Sequence, residues 1–241
     1  AASPMPPRGA EDRVEALLAG EPCAAVTAAR EGSRLSLAGR VSSSRARARL
    51  VGALGAVPGV GEVSAGALAI LPRPHCATLA RLAAAGARPP ADAGPAPPPA
   101  LDYAIGERMR FRIEAPGFPA VLQVDYFDGE GRVYHLLPGY LGEAWRLAPD
   151  ESRMLGADDA RPLAAAAPAG TDMLLVVASS EPLLDGHPEV AEPAAAYLPR
   201  LEAAIARLRA RPGAALEMAF RPIRIRPAAP PPGPRPKEET E

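Results

Sequence analysis

Residues 88–99 read Arg-Pro-Pro-Ala-Asp-Ala-Gly-Pro-Ala-Pro-Pro-Pro. Proline fixes φ and lacks a backbone donor, so such a run enters neither a helix interior nor a central strand. It takes an extended, semi-rigid form instead. Residues 87–100 are therefore a linker, and the 241-residue chain divides into two folding units.

The N-terminal unit spans 11–86, after a Pro-rich start (1–10) expected to be disordered. Residues 11–19 predict a short helix with Val14, Leu17 and Leu18 on one face and Gly20 as its stop. Cys23 opens a strand over 23–29, and Glu31-Gly32-Ser33 turns the chain. Leu35, Leu37, Gly39 and Val41 then alternate with polar or small residues, as in a strand with one buried face. Ser42, Ser43 and Ser44 offer N-cap hydroxyls to a helix that lines up Leu50, Val51, Leu54 and Val57. Pro58 and Gly59 end that helix, and Val63, Leu68 and Ile70 belong to a third strand stopped by Pro72 and Pro74. Gly39 predicts a close backbone approach, and Gly59 a turn freed by its missing Cβ. Residues 76–85 predict one more short helix, terminated by Gly86.

Cys23 and Cys76 are the only cysteines. With His75 they make no four-ligand zinc set. They flank the two ends of one small sheet, which favours a disulfide over two unrelated buried thiols. Closing this loop contributes about 3 to 4 kcal/mol. Such a bond persists in an oxidising compartment, so the expected location is periplasmic or otherwise extracytoplasmic.

The order helix, strand, strand, helix, strand resembles the BON domain, a small α/β module of bacterial envelope proteins. The residues that carry the resemblance are Leu37 to Ser42 (Leu-Ala-Gly-Arg-Val-Ser) and Pro58 to Val63 (Pro-Gly-Val-Gly-Glu-Val). A cysteine pair is not a general feature of that family.

The C-terminal unit, 101–226, is richer in strands. Met109, Phe111 and Ile113 alternate in 108–114, and Leu122, Val124 and Tyr126 in 120–126. Asp128-Gly129-Glu130-Gly131 predicts a hairpin turn, with Asp-Gly supplying the positive φ, and 132–137 is the partner strand. Residues 172–178 have little polarity, as a central strand covered on both faces would. Residues 197–209 predict a helix with Leu198, Leu201, Ile205 and Leu208 inward, and 215–226 a last strand. The tail from 227 is proline-rich, then acidic, and expected to be disordered.

Ile105-Gly-Glu107, the hairpin from Leu122 through Tyr126 and Gly131 to Val133, Leu136-Leu-Pro138, Pro168-x-Gly170-Thr171 and Leu174 to Ser179 together resemble an uncharacterised β-rich domain. That domain occurs at the C-termini of some bacterial serine/threonine kinases and caspase-like peptidases, often beyond a transmembrane segment. The resemblance implies a β-sandwich accessory domain with no catalytic residues to carry over. No kinase Gly-rich loop, strand lysine or His-Arg-Asp is present in this chain.

Taken together these readings predict an α+β protein: a BON-like αββαβ module followed by a β-sandwich-like domain with one added helix. A net charge of −1 without a basic block argues against nucleic-acid binding. No apolar run reaches the roughly 18 to 20 residues that span a bilayer. The chain opens on Ala1-Ala2-Ser3-Pro4 and reads as a mature or excised fragment, tethered through a segment not included in it.

Chemistry is sparse. A serine-hydrolase trio could be assembled from Ser179 or Ser180 with His187 and Asp185, but no Gly-x-Ser-x-Gly elbow surrounds the serines. The default role of Ser179 and Ser180 is to cap a turn. Asp125, Asp128 and Glu130 flank the hairpin and read as a solvated tip, since they lack the spacing of a calcium loop. No phosphate-binding motif is present and no cofactor is expected. Tyr134, Tyr140 and Trp145 crowd one stretch, which suits a recognition surface or, for Trp145, a plug at the end of the core. The expected role is a non-catalytic sensor or scaffold of a bacterial envelope protein, such as the ectodomain of a membrane-bound kinase linked to a secretion system. Its expected partners are proteins or cell-envelope components met through strand edges.

Overall fold

A computed structural model of the chain describes residues 9–21, 23–84, 101–158, 160–184 and 189–228. The expected disordered start up to residue 8, the linker 87–100 and the tail from 229 lie outside the described residues.

Short aliphatic side chains build the N-terminal unit. Helix α1 (Ala10–Gly20) buries Val14. Strand β1 (Ala25–Glu31) runs antiparallel to β2 (Arg34–Val41), turning through Gly32 at φ +61°. Ser43 caps α2 (Ser44–Gly55), its Oγ accepting the Ala46 N–H at 3.1 Å. Strand β3 (Glu62–Ile70) lies parallel to β2 and completes the order β1-β2-β3. Leu35, Leu37 and Val41 from the sheet meet Leu50, Leu54 and Val57 from α2 and its C-terminal turn, so the amphipathic patterns of strand and helix close one core. Gly39 sits at φ +122°, and a Cβ built there would lie 2.0 Å from the Ala25 carbonyl oxygen. That is the predicted close approach, between the paired strands β1 and β2, and it admits glycine alone. Gly59, at φ +85°, turns the chain from α2 toward β3.

Helix α3 (His75–Ala84) follows, but its buried face belongs elsewhere. Leu82 is enclosed among side chains of the C-terminal unit, with Leu79 packed against the same core. The Arg81 guanidinium pairs with Glu202 at 2.7 Å, and His75 Nε2 meets the Thr171 carbonyl at 2.7 Å. The stretch read as the end of the first unit thus docks on the second.

The C-terminal unit contains β4 (Leu101–Ala104), β5 (Phe111–Glu114), β6 (Ala120–Phe127), β7 (Arg132–Leu137), β8 (Trp145–Leu147), β9 (Ser152–Leu155), β10 (Gly170–Ser179), β11 (Ala191–Pro193), α4 (Ala194–Arg209) and β12 (Leu216–Arg226). Seven strands form one sheet in the order β11-β7-β6-β10-β12-β4, with β8 added to β6; β5 and β9 make a separate ribbon. Only β12 and β4 pair in parallel within the large sheet. One face of the large sheet carries Phe127, Val133, Leu175 and Val177 under α4 and α3. The other packs Leu122, Val124, Leu174 and Ile223 against Phe111 and Ile113 of the ribbon. The class is α+β, and this unit is sandwich-like with a helical layer outside it.

Two local expectations change. The hairpin places its left-handed residue at Gly131 (φ +89°) and not at Gly129, because Asp128 Oδ1 accepts the N–H groups of Glu130 and Arg132 at 2.9 Å each and bends the tip early. Strand β6 is buried along its whole length, including Asp125, which the sequence reading grouped with the solvated tip. Asp125 is instead fully enclosed beneath α4.

Candidate functional site

Two polar constructions stand out against the apolar layers: a junction between the units, and a charge network under α4. At the junction, Cys23 and Cys76 form a disulfide with their Cα atoms 5.2 Å apart. Cys23 lies in the turn between α1 and β1 at φ +60°, a left-handed conformation few residues other than glycine adopt. Cys76 lies in the first turn of α3. Since α3 is packed on the large sheet, the bridge ties one unit covalently to the other. The Arg40 guanidinium, 4.2 Å from the centre of the Phe220 ring, adds a cation–π contact across the same seam, and burial holds its pKa down.

His75, next to Cys76, has no solvent exposure. Its Nε2–H donates to the Thr171 carbonyl, while Nδ1 has no hydrogen-bond partner among the described residues. Burial pushes its pKa below the ordinary value, outweighing the Thr171 carbonyl and the charges of Asp172 and Asp128. The ring is therefore neutral near pH 7. Burial also raises the pKa of Asp172, although its carboxyl group accepts from the Tyr126 hydroxyl and, at 2.9 Å, from the Gly129 N–H.

The network under α4 joins strands to helix. His135 on β7 stands across the ladder from Asp125 on β6. Its Nδ1 lies 2.6 Å from Asp125 Oδ1 and its Nε2 3.0 Å from Glu192 Oε1. Asp125 Oδ2 also accepts from Tyr197 OH at 2.5 Å and Gln123 Nε2 at 2.8 Å. Arg200 donates to Glu192 and leans over Tyr197 with 5.9 Å between guanidinium and ring centre. Burial alone would lower the pKa of His135, but the hydrogen bonds and charges of Asp125 and Glu192 outweigh it and raise it. In the protonated ring both nitrogens donate, one to each acid. Tyr197 is held well above its ordinary value, by burial first and then by Asp125, and stays a neutral donor.

Histidine between two acids is a proton-relay grouping, yet both His135 and Asp125 are fully buried. The network joins β11 and α4 to the sheet. Counting back from the hairpin, 127 opposite 133 and 125 opposite 135, could have paired Asp125 with His135 from sequence. Nothing in the sequence pattern points to Glu192 or Arg200.

The other sequence candidates separate. Tyr134 and Tyr140 are each more than a third exposed. Tyr134 meets Tyr126 edge-on with centroids 6.3 Å apart, and the Tyr140 hydroxyl donates to the Pro162 carbonyl at 3.3 Å. Trp145 is half-buried against the sheet core, with the Arg153 guanidinium 5.1 Å from its ring centre. Ser179 is 1% exposed and its hydroxyl lies 2.7 Å from the Glu181 carbonyl and 3.4 Å from that of Val121. Ser180 Oγ accepts the Ala215 N–H at 3.1 Å. Ser179 thus caps a local turn, Ser180 instead ties the end of β10 to the chain entering β12, and Asp185 and His187 lie outside the described residues. Among the described residues no group of His, Cys, Asp and Glu side chains is arranged to hold a metal ion, and no helix is long and apolar enough to cross a membrane. No family model, curated protein or solved structure matches the chain.

Proposed function

We propose that this chain is a non-catalytic scaffold or sensor region of a bacterial envelope protein, working outside the cytoplasm. The observation that carries the reading is the position of the Cys23–Cys76 bridge, which joins the small unit to α3 on the large sheet. A covalent tie across a seam between units suits a protein that must hold two surfaces in fixed relation in an oxidising compartment. The resemblance of 11–76 to BON domains and of 101–226 to the kinase-associated β-rich domain supports an envelope setting. On the second resemblance we read this chain as the ectodomain of a membrane-bound serine/threonine kinase, and we extend the proposal to a kinase linked to a secretion system. The hydroxyls of Ser179 and Ser180, engaged by backbone, support the non-catalytic part of the reading.

The test is a thiol count on protein isolated from its native compartment, denatured without reductant. No reactive thiol is expected, and both cysteines should appear after reduction. Two free thiols before reduction would overturn the extracytoplasmic reading.

A further inference from the structure

Among the described residues, the sandwich-like unit has an unpaired edge. In the β5–β9 ribbon the Ala115 N–H donates to the Glu151 carbonyl at 2.8 Å, which fixes the phase of the ladder. Residues of an antiparallel pair alternate between facing and turning away from the partner. The main-chain groups of Phe111 and Ile113 therefore face β9, and those of Arg112 and Glu114 face away from it. The same outward side includes the Arg110 carbonyl, which the Tyr103 hydroxyl reaches at 3.0 Å. Tyr103 belongs to β4 at the margin of the large sheet, so the outward edge of β5 looks over that sheet.

Between this edge and the sheet lies a groove of about 730 Å³. Its floor includes Val176 of β10 and Ala219 of β12, side by side in the ladder and only partly covered. Charge is sorted along its length. Arg110 and Arg221 line the end near Leu101, Arg112 stands midway, and Glu114 and Glu217, with Asp150, line the opposite end beside Gly117. Strand direction accounts for the sorting, since β5 runs from its basic to its acidic end while β12 runs the other way alongside.

We infer that the outward edge of β5 takes up an extended peptide segment of a partner protein as an added strand. The segment carries an apolar residue over Val176 and Ala219, an acidic residue toward Arg110 and Arg221, and a basic residue toward Glu114 and Glu217. Main-chain bonds to Arg112 and Glu114 supply affinity, and the floor and the two charged ends supply specificity. The small floor residues leave depth for one branched aliphatic side chain. This inference rests on the scaffold reading and names the surface through which the scaffold holds its partner.

The test uses the oxidised chain, isotopically labelled, and the blocked pentapeptide acetyl-Glu-Thr-Val-Thr-Lys-amide as probe. Titration is expected to move the backbone amide signals of Arg112 and Glu114, with saturation at high-micromolar to millimolar peptide. The doubly substituted Arg110→Glu, Arg221→Glu protein should bind this probe about tenfold more weakly, a change of about 1.4 kcal/mol. It should instead prefer the analogue with Lys at both ends. A probe methylated on its three inner amide nitrogens should not bind. Unmoved Arg112 and Glu114 signals, an unchanged affinity in the substituted protein, or equal binding of the methylated probe would each overturn the inference. With the disulfide intact, a silent groove leaves the envelope reading standing. Free thiols together with a responsive groove remove the envelope reading alone.

Discussion

The two units hold themselves together by different means. The N-terminal core is wholly aliphatic, for every aromatic residue of the chain lies beyond residue 100. Among the described residues between 9 and 71, no polar or charged residue is buried. The C-terminal unit has two apolar layers with Phe111, Phe127 and Tyr197 among their members, and a charge network between sheet and helix. A small core of short side chains buries little apolar area per residue and yields little stability. The bridge falls on that weaker unit, while the larger one relies on packing and buried hydrogen bonds.

The strongest way to break the comparison is Asp125→Ala. It leaves His135, Tyr197 and Gln123 without their common acceptor and should cost about 3–5 kcal/mol, as removing one partner of a buried ion pair does. Chemical unfolding should register that loss in β6, β7 and α4, with the protection of β1–β3 against hydrogen exchange unchanged. Next comes Cys76→Ser, expected to cost about 3–4 kcal/mol. Here the loss should concentrate in β1–β3 and α2; equal loss of amide protection in both units would refute the division of labour.

Acidity should separate the halves from another direction. His75 has a lowered folded pKa, so its contribution is present above about pH 6.5, the unfolded value, and is lost as the pH falls below it. His135 has a raised folded pKa, so its contribution is present below about pH 6.5 and is lost as the pH rises through its folded value. In unfolding curves measured across pH, His75→Gln should flatten the acid limb and His135→Gln the alkaline limb. Exchanged limbs would mean the protonation states are assigned the wrong way round. The smallest effect is Ser43→Ala, about 1 kcal/mol from the lost cap on α2, read as a lower melting temperature of the N-terminal unit alone.

Much of the fold was legible because period and punctuation agreed. Leu35, Leu37 and Val41 alternated between turn residues, Ser43 stood before a helical stripe, and the unbroken apolar run in β10 meant cover on both faces. Strands β4, β8, β9 and β11, of three or four residues each, are too short to display a period. Helix α4 starts at Ala194, ahead of the predicted 197, with Pro199 inside its early turns. The cysteine pair was legible as a bond but not as a tie between units. Leu79 and Leu82 mark an apolar stripe, and a stripe does not say which sheet it will cover. Asp125 looked solvated because charge in a strand next to a turn ordinarily faces water; only the packing of α4 makes it internal.

The bridge also sets the path of force through the molecule. Cys23 and Cys76 stand 53 positions apart in sequence, and the bond makes them direct covalent neighbours. Tension arriving along the N-terminal backbone reaches Cys23, crosses to Cys76 and continues through α3 toward the linker, without loading the strands and helix in between. Under a pull from its two ends, β1–β3 and α2 are out of the line of load while α1, which precedes Cys23, is in it, and the enclosed stretch can extend only after the bond is reduced.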